Sequence, residues 1–222
     1  MKKLVIFDLD GTLLNTIDDL GTATNHALEA CGFPTHSLSS YPFFVGNGVS
    51  KLIERALPDD RRGKLDIERV RREFKAYYDE HCCDLTRPYP GVAAMLKELN
   101  ANGVKLAVAS NKYQQAVTHL ISHFFPTVTW AAVKGQEGTR PVKPDPSIVF
   151  DILTDVPTAK ADVLYVGDSG VDMETARRAC VDSVGVTWGF RPLKELREYH
   201  AGYIATTADD ITSLALADFL PY

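Results

Sequence analysis

The chain has 222 residues, 45% of them hydrophobic and 24% charged, which is the composition of an ordinary soluble globular protein with a substantial core. A formal net charge of -5 without a long basic cluster argues against nucleic acid or an anionic membrane as a partner. The first apolar run stops at Asp8, too short for a signal peptide or a membrane span, and the four cysteines have no CxxC spacing, so we expect a cytoplasmic protein with reduced thiols.

The first predicted element is a buried strand at residues 4–7, which leads into the sequence Asp8-Leu9-Asp10-Gly11. In open α/β sheets, ligands bind at the carboxyl ends of the strands. Residues i and i+2 of an extended segment point to the same side, so Asp8 and Asp10 can face one site. Two such carboxylates repel each other unless a cation lies between or beside them, which favours Mg²⁺. The alternative is that Asp-Gly forms an ordinary turn.

The segment at residues 15–87 contains no convincing strand and predicts three or four helices. The clearest of them cover residues 20–31, 48–57 and 64–82. A helical stretch of this length, inserted after the first strand, predicts a helical cap domain (15–87) on a core formed by residues 1–14 and 88–222. The insertion begins beside Asp8 and Asp10, where it can act as a lid. The alternative is that these helices only add cover to the sheet.

After residue 88, strand-like and helix-like runs alternate. The strands are predicted at residues 104–109, 129–133, 163–166 and 183–186, with a weaker one at 203–205. The helices are predicted at residues 91–102, 114–123, 147–153 and 173–180. This alternation predicts an α/β fold with a doubly wound, Rossmann-like parallel sheet, right-handed crossovers and helices on both faces.

Three groups of polar residues lie at or near the ends of these later strands. Ser110 follows one strand at a predicted helix start, where its hydroxyl and nearby amides suit a phosphate, although an ordinary helix cap is the alternative. Asp168 and Asp172 follow another strand and supply two more acids, unless they only cap the next helix. Lys143 lies on a loop bracketed by prolines, where the alternative is a solvated lysine.

Together these residue types are the ones that magnesium-assisted phosphoryl transfer needs. Hydrolysis of a phosphate monoester requires acceleration of up to ~10²¹-fold, whereas one acid or base supplies only about 10²–10⁴-fold. Several groups must therefore act together: a carboxylate that attacks phosphorus, a second that moves protons, a metal held by acids, and a serine and a lysine that bind the phosphoryl charge. This combination predicts an enzyme that acts on a small-molecule phosphate ester.

Four motifs in this order resemble those of the haloacid-dehalogenase-like superfamily. They are DLDGT at residues 8–12, Ser110 in VASN, Lys143 in KPDP, and GDSGVD at residues 167–172. The resemblance implies that Asp8 is the nucleophile that becomes an aspartyl-phosphate. It also implies that Asp10 protonates the leaving group and then activates water.

The same resemblance implies a metal site and a phosphate site. Asp8, the backbone carbonyl of Asp10, and Asp168 would hold Mg²⁺, and Asp172 would support that site through water or by orienting Lys143. Ser110 and Lys143 would bind the phosphoryl group. An acid at the position of Asp10 favours phosphate chemistry over the dehalogenase branch.

Residues 45–57 are similar to the substrate loop of phosphoglycolate phosphatases. The residues predicted to bind substrate on this basis, together with Ser110 and Lys143, are Thr12, Gly46, Asn47, Gly48 and Asn111. The arginine that several such enzymes carry before this loop has no counterpart here, so either Lys51 or Arg55 takes its place or the substrate is more apolar. Residues 188–191 resemble a loop that borders the family's active site, with an ordinary surface loop as the alternative.

The sequence therefore predicts a cytoplasmic, Mg²⁺-dependent phosphatase, monomeric or homodimeric, without a nucleic-acid or membrane partner. Its substrate is a small organic phosphate, with phosphoglycolate as a candidate. Two alternatives stay open: a phosphosugar mutase of the same superfamily, and a non-catalytic partner-binding module that keeps the fold. The pair Cys82-Cys83 is interpreted as packing at a helix end, and most of the six histidines as surface or packing residues.

Overall fold

The computed structural model describes residues 1–217. In this part of the chain the strands are β1 (Leu4–Phe7), β2 (Leu14–Asn15), β3 (Arg87–Pro88), β4 (Lys105–Tyr113), β5 (Trp130–Gln136), β6 (Val163–Gly167), β7 (Asp182–Val186) and β8 (Tyr203–Ala205). The α-helices are α1 (Ile17–Ala30), α2 (Tyr41–Phe44), α3 (Val49–Ala56), α4 (Lys64–His81), α5 (Val92–Ala101), α6 (Gln114–Phe124), α7 (Ser147–Asp155), α8 (Gly170–Ala179), α9 (Leu193–Glu198) and α10 (Ala208–Leu216).

Six of these strands form one sheet in the order β5-β4-β1-β6-β7-β8, and each neighbouring pair is parallel. Strand β1 lies between β4 and β6 and is buried along its whole length, as expected for a parallel strand with both faces covered. The predicted doubly wound α/β fold is confirmed. No helix within residues 1–217 combines the length and the apolar character that a membrane crossing requires.

The two faces of β1 contribute to different apolar clusters because successive side chains of a strand point in opposite directions. Val5 and Phe7 belong to the larger cluster, which also contains Leu52 and Phe74 from the helices between β2 and β3. Leu4 and the other side chains of the opposite face pack with α7 and α8. The helical segment is therefore continuous with the core above one face of the sheet.

Helices α1 to α4 form that inserted segment, as the sequence predicted. The buried residues of α4 are Val70, Phe74 and Tyr78, whose spacing of four places them on one stripe of the helix. This stripe packs toward α1 and α3, and the charged remainder of α4 faces outward.

The two ends of the insertion meet in a short ladder that the sequence did not predict. Strand β2 pairs with β3 in antiparallel fashion, with Leu14 opposite Pro88 and Asn15 opposite Arg87. The buried carboxylate of Asp19 accepts hydrogen bonds from the backbone amides of residues 85 and 86. The chain therefore enters and leaves the insertion through two paired strands of only two residues each, too short for a periodic sequence pattern.

Strand β4 extends further than expected. It continues past Ser110 to Tyr113, with an irregular register after Ala109, and α6 begins only at Gln114. The prediction that Ser110 lies at a helix start is therefore wrong, and so is the alternative that it caps that helix. The following residue, Asn111, bonds to backbone groups of two other loops, which keeps this stretch extended.

Candidate active site

Asp8 leaves the carboxyl end of β1 with its side chain almost completely buried. One carboxylate oxygen accepts a hydrogen bond from the amide of Leu9 at 2.7 Å and forms an ion pair with Lys143 Nζ at 2.9 Å. No hydrogen bond reaches the other oxygen within residues 1–217. The carboxylate is thus held in one orientation by two donors while its second oxygen stays free to react.

Lys143 is 2% exposed, so the alternative of a solvated lysine is wrong. Besides Asp8, its Nζ contacts Asp172 at 2.7 Å and the carbonyl of Ala109 at 2.9 Å. Burial opposes its charge, but Asp172 and Asp8 raise the pKa of Lys143 well above its usual value. Lys143 is therefore a fixed cation at the ends of β1, β4 and β6.

Asp8, Asp168 and Asp172 form a buried carboxylate cluster, with one oxygen of each within 4.8 Å of the others. Burial, followed by Asp172, raises the pKa of Asp8 from its usual 3.8 to about 7 and also raises the pKa of Asp168. Among the residues that the structure describes, the three carboxylates are balanced by one contacting lysine, Lys143. When all three carboxylates are ionised, two negative charges remain, which suits a divalent cation with oxygen ligands.

The two later acids of this cluster have different tasks. Asp172 is fully buried, pairs with Lys143 through one oxygen and accepts from the amide and hydroxyl of Ser169 through the other. It therefore pairs with Lys143 and also caps α8, and its support of a metal site stays a prediction. Asp168 accepts from the amide of Phe190 at 2.6 Å with one oxygen and has the other available for a metal.

Asp10 lies outside this cluster. Its carboxylate accepts from Thr16 Oγ1 at 2.7 Å and from Lys112 Nζ at 2.9 and 3.1 Å. Asp8 thus pairs with Lys143 and Asp10 pairs with Lys112. The Asp10 side chain is not part of the carboxylate cluster that could hold a metal. For that side chain, a proton-transfer task fits better than a metal-ligand task.

Lys112 is the residue that the sequence analysis missed. It is 7% exposed, with its ammonium group 4.8 Å from the ring centre of Tyr78 and in contact with Asp10. The signal was present, since Lys112 lies two residues after Ser110 on an extended strand and therefore on the same side. The amide of Lys112 also donates to Ser110 Oγ at 3.2 Å, which leaves the Ser110 hydroxyl proton free for a ligand.

A cavity of about 50 Å³ lies between the sheet edge and the helical insertion. Asp8, Asp10, Ser110 and Asp168 line its floor, and Gly46 and Gly48 line the opposite side. These glycines have φ of +114° and +82°, a region that other residues rarely adopt. The small volume is suited to a compact ligand.

The remaining predicted binding residues differ in their positions. Asn111 lines the cavity and donates to the carbonyls of Gly46 and Lys143, so it joins the insertion to the Lys143 loop. Thr12 and Asn47 do not line this cavity. The Thr12 hydroxyl is buried without a hydrogen-bond partner in the described part of the chain. The Asn47 side chain accepts from Arg55.

Residues 188–191 border the site, so the interpretation as an ordinary surface loop is wrong. The Trp188 indole donates to the Thr12 carbonyl, and the Phe190 amide donates to Asp168. The guanidinium group of Arg191 donates to the carbonyls of Pro42 and Val45 and lines the cavity. Arg191 therefore connects the core to the cavity side of the insertion, and the possible roles of Lys51 and Arg55 toward a substrate carboxylate stay predictions.

The family model described as haloacid dehalogenase-like hydrolase matches residues 5–186. Phosphoglycolate phosphatase from Mesorhizobium japonicum is 31% identical over 214 residues, covering 95% of this chain and 93% of the relative. Phosphoglycolate phosphatase 1 from Pseudomonas aeruginosa is 32% identical over 226 residues, covering 100% and 79%. A crystal structure from Lactobacillus delbrueckii, provisionally named phosphoglycolate phosphatase, has a TM-score of 0.91 and 32% identity, covering 98% and 100%.

Proposed function

The chain belongs to the haloacid dehalogenase-like hydrolase family and is a phosphatase, and from this we propose that it hydrolyses a small phosphate monoester through an aspartyl-phosphate on Asp8. One observation carries the proposal. Asp8 is clamped through one oxygen at the floor of the cavity, and the phosphate-binding and proton-transfer groups lie around it. The arrangement suits in-line attack on phosphorus.

In the first half-reaction, the free oxygen of Asp8 forms a bond to phosphorus while the ester oxygen leaves. Asp10 donates a proton to that leaving oxygen. Ser110 donates its hydroxyl proton to a phosphoryl oxygen, and Lys143 neutralises part of the developing charge. Lys112 and Thr16 hold the Asp10 carboxyl in position throughout.

In the second half-reaction, Asp10 accepts a proton from a water molecule, whose oxygen attacks the aspartyl-phosphate. The bond between Asp8 and phosphorus breaks, inorganic phosphate leaves, and both aspartates return to their starting states. The small volume of the cavity limits the number of water molecules near the intermediate.

We propose Mg²⁺ as the cofactor, held by Asp8 and Asp168 and supported by Asp172. The donor set fits, because hard oxygen ligands with two uncompensated negative charges suit a small divalent cation. When bound, Mg²⁺ neutralises charge on the phosphoryl oxygens.

For the substrate, we propose a compact phosphate ester, with 2-phosphoglycolate as the first candidate. The names of the relatives and the size of the cavity support this choice. We also propose that residues 15–87 form a cap domain, since its Gly46–Gly48 segment covers the cavity.

A panel of phosphorylated metabolites tests the function. With Mg²⁺, the purified protein should release inorganic phosphate from 2-phosphoglycolate or from another small monoester, and EDTA should abolish the release. An isomerised sugar phosphate without free phosphate would favour the mutase alternative instead. Undiminished activity in EDTA would contradict the proposed metal.

The contact between Lys112 and Asp10 leads to a prediction about leaving groups. Asp10→Asn should lower kcat/KM for alkyl phosphates by about 10²–10⁴-fold, because their poor leaving groups need a proton. Lys112→Met should produce a smaller loss of the same kind, since it removes two of the hydrogen bonds that hold Asp10. Both variants should retain more of their kcat/KM for p-nitrophenyl phosphate, whose leaving group needs little protonation.

Lys134→Met is the matched control, because Lys134 pairs with Asp155 away from the cavity. This variant should keep the parent rate on both substrates. An equal loss on both substrates in Asp10→Asn would contradict the role of Asp10 as a general acid.

The raised pKa of Asp8 predicts how metal binding depends on pH. Between its usual value of 3.8 and about 7, folded metal-free protein holds a proton on Asp8 that the unfolded chain has lost. Asp8 therefore increases the free energy of unfolding at low pH, and this contribution is lost as the pH rises through this range. Mg²⁺ relieves the buried charge, so it should raise Tm more at about pH 8 than at about pH 5.

Thermal unfolding with and without Mg²⁺ measures this difference. Asp168→Asn is the comparison variant, because it removes one proposed ligand and one buried charge. Its Mg²⁺-dependent shift should be smaller at both pH values. A shift in the parent that does not change with pH would count against the assigned carboxylate cluster.

A further inference from the structure

A second cluster of potential metal ligands lies outside the cavity and is formed by Cys82, Cys83 and His119. One donor atom of each residue lies within 4.8 Å of the others, and the two sulfur atoms are 3.9 Å apart. Two thiolates bound to one tetrahedral Zn²⁺ at about 2.3 Å lie about 3.8 Å from each other. The sulfur atoms therefore already have the separation that such an ion requires.

The cluster connects the helical insertion to the sheet-bearing part of the chain. Cys82 and Cys83 directly follow α4, the last helix of the insertion, whereas His119 lies on α6, after β4. Two polar contacts hold these elements together nearby, Lys75 to Gln115 at 3.1 Å and Tyr113 to Asp79 at 2.6 Å. The three donors thus meet at a junction that other contacts already stabilise.

The exposure of the three residues increases from Cys82 to His119. Cys82 is buried, Cys83 is half-buried and His119 is exposed, so an ion can reach the sulfur atoms from the imidazole side. Within residues 1–217, no hydrogen bond involves the His119 ring, which lies beside the ring of His123. Its nitrogen atoms are therefore available to a ligand.

The chemistry of the donors selects the class of ion. Thiolates and imidazole are soft or borderline ligands that favour Zn²⁺ and similar ions, whereas Mg²⁺ prefers oxygen. The two sites should therefore be occupied by different metals. Burial raises the pKa of Cys82 to about 12 and also raises the pKa of Cys83, so the metal-free pair carries its protons at neutral pH.

We propose that Cys82, Cys83 and His119 bind a thiophilic divalent cation of the zinc class, which links α4 to α6. Two metal–sulfur bonds and one metal–nitrogen bond form, the two thiol protons pass to solvent, and water completes the tetrahedral set. Because the ligands come from both parts of the chain, the bound ion stabilises their present arrangement.

Titration with Co²⁺ tests the site, since a charge-transfer absorption from thiolate to Co²⁺ appears only when sulfur binds the ion. The full-length protein is kept reduced, which prevents a disulfide between the neighbouring cysteines, and excess Mg²⁺ occupies the carboxylate cluster. The parent should bind one equivalent of Co²⁺ with this absorption, and added Zn²⁺ should remove the absorption by displacing Co²⁺.

Two variants test the proposed ligands and two serve as controls, and none of them changes the buried Cys82. Cys83→Ser should reduce the absorption by at least half and lower the affinity by more than about 100-fold, which is beyond the effect of losing an outer contact. His119→Ala should lower the affinity by at least about tenfold. His123→Ala, one helical turn further along α6, is the matched control and should bind as the parent does. Cys180→Ser controls for the exposed thiol elsewhere.

Several results would overturn the site. They are the absence of thiolate absorption in the parent, an unchanged spectrum in Cys83→Ser, and an unchanged affinity in His119→Ala. Thermal unfolding gives a second measurement: Zn²⁺ should raise the Tm of the parent but not that of Cys83→Ser. Neither measurement uses phosphatase activity, so the outcome is independent of the proposed function.

Discussion

Asp8→Asn is expected to lower kcat by at least about 10⁴-fold, as does the removal of other enzymatic nucleophiles, because an amide cannot form the aspartyl-phosphate. The fold should persist, since the asparagine fills the same space and its oxygen can accept from Leu9 and Lys143. Steady-state release of phosphate from p-nitrophenyl phosphate, with Mg²⁺ present, is the measurement.

The same substitution, Asp8→Asn, should not lower the stability of the metal-free protein, although it lowers the activity. At about pH 8 the parent carries a buried charge on Asp8 that burial and Asp172 make unfavourable, so the metal-free variant should have a Tm equal to or above that of the parent. Asp155→Asn, which changes an acid at the protein surface, should leave the rate unchanged. Parent-like turnover in Asp8→Asn would show that another group attacks phosphorus.

Lys143→Met should cost both activity and stability. The methionine fills much of the space but leaves Asp8 and Asp172 without their buried cation, and breaking a buried pair in this way costs about 3–5 kcal/mol. Loss of a charged donor to the phosphoryl group should also lower kcat by about 10²–10³-fold. Urea unfolding and steady-state kinetics measure the two effects.

A double variant separates these two effects of Lys143. Adding Asp172→Asn to Lys143→Met removes one uncompensated charge, so it should recover part of the lost free energy of unfolding without recovering kcat. Lys194→Met, at a lysine whose side chain is 84% exposed, should match the parent in both measurements. If Lys143→Met is as stable as the parent, the buried carboxylates do not depend on this lysine.

The core of the site was predictable because its residues follow parallel strands. One apolar run ends in two acids, Asp8 and Asp10, and another ends in Gly167-Asp168. Once the two strands are parallel, their ends have to meet at one sheet edge. Lys143 was identified by its motif, and its burial between Asp8 and Asp172 depends on three separate parts of the chain. The excess of two negative charges became visible only when these parts were assembled.

Other features could not be predicted because they depend on pairing between distant residues. The ladder between β2 and β3 has only two residues on each side, which is below the length of any periodic signal. Cys83 and His119 are separated by β3, α5 and β4, so their proximity follows from how the end of α4 lies beside α6. The contact between Lys112 and Asp10 likewise joins residues 102 positions apart in the chain.

The paired strands β2 and β3 have a consequence for how such proteins diversify. Because the chain departs from the sheet and comes back at adjacent positions, the intervening segment can be lengthened, shortened or exchanged as a module with little change in loop-closure entropy. The proposed catalytic aspartates, Asp8 and Asp10, stay where they are during such an exchange. Evolution can therefore alter which ester is accepted while conserving the chemistry that cleaves it.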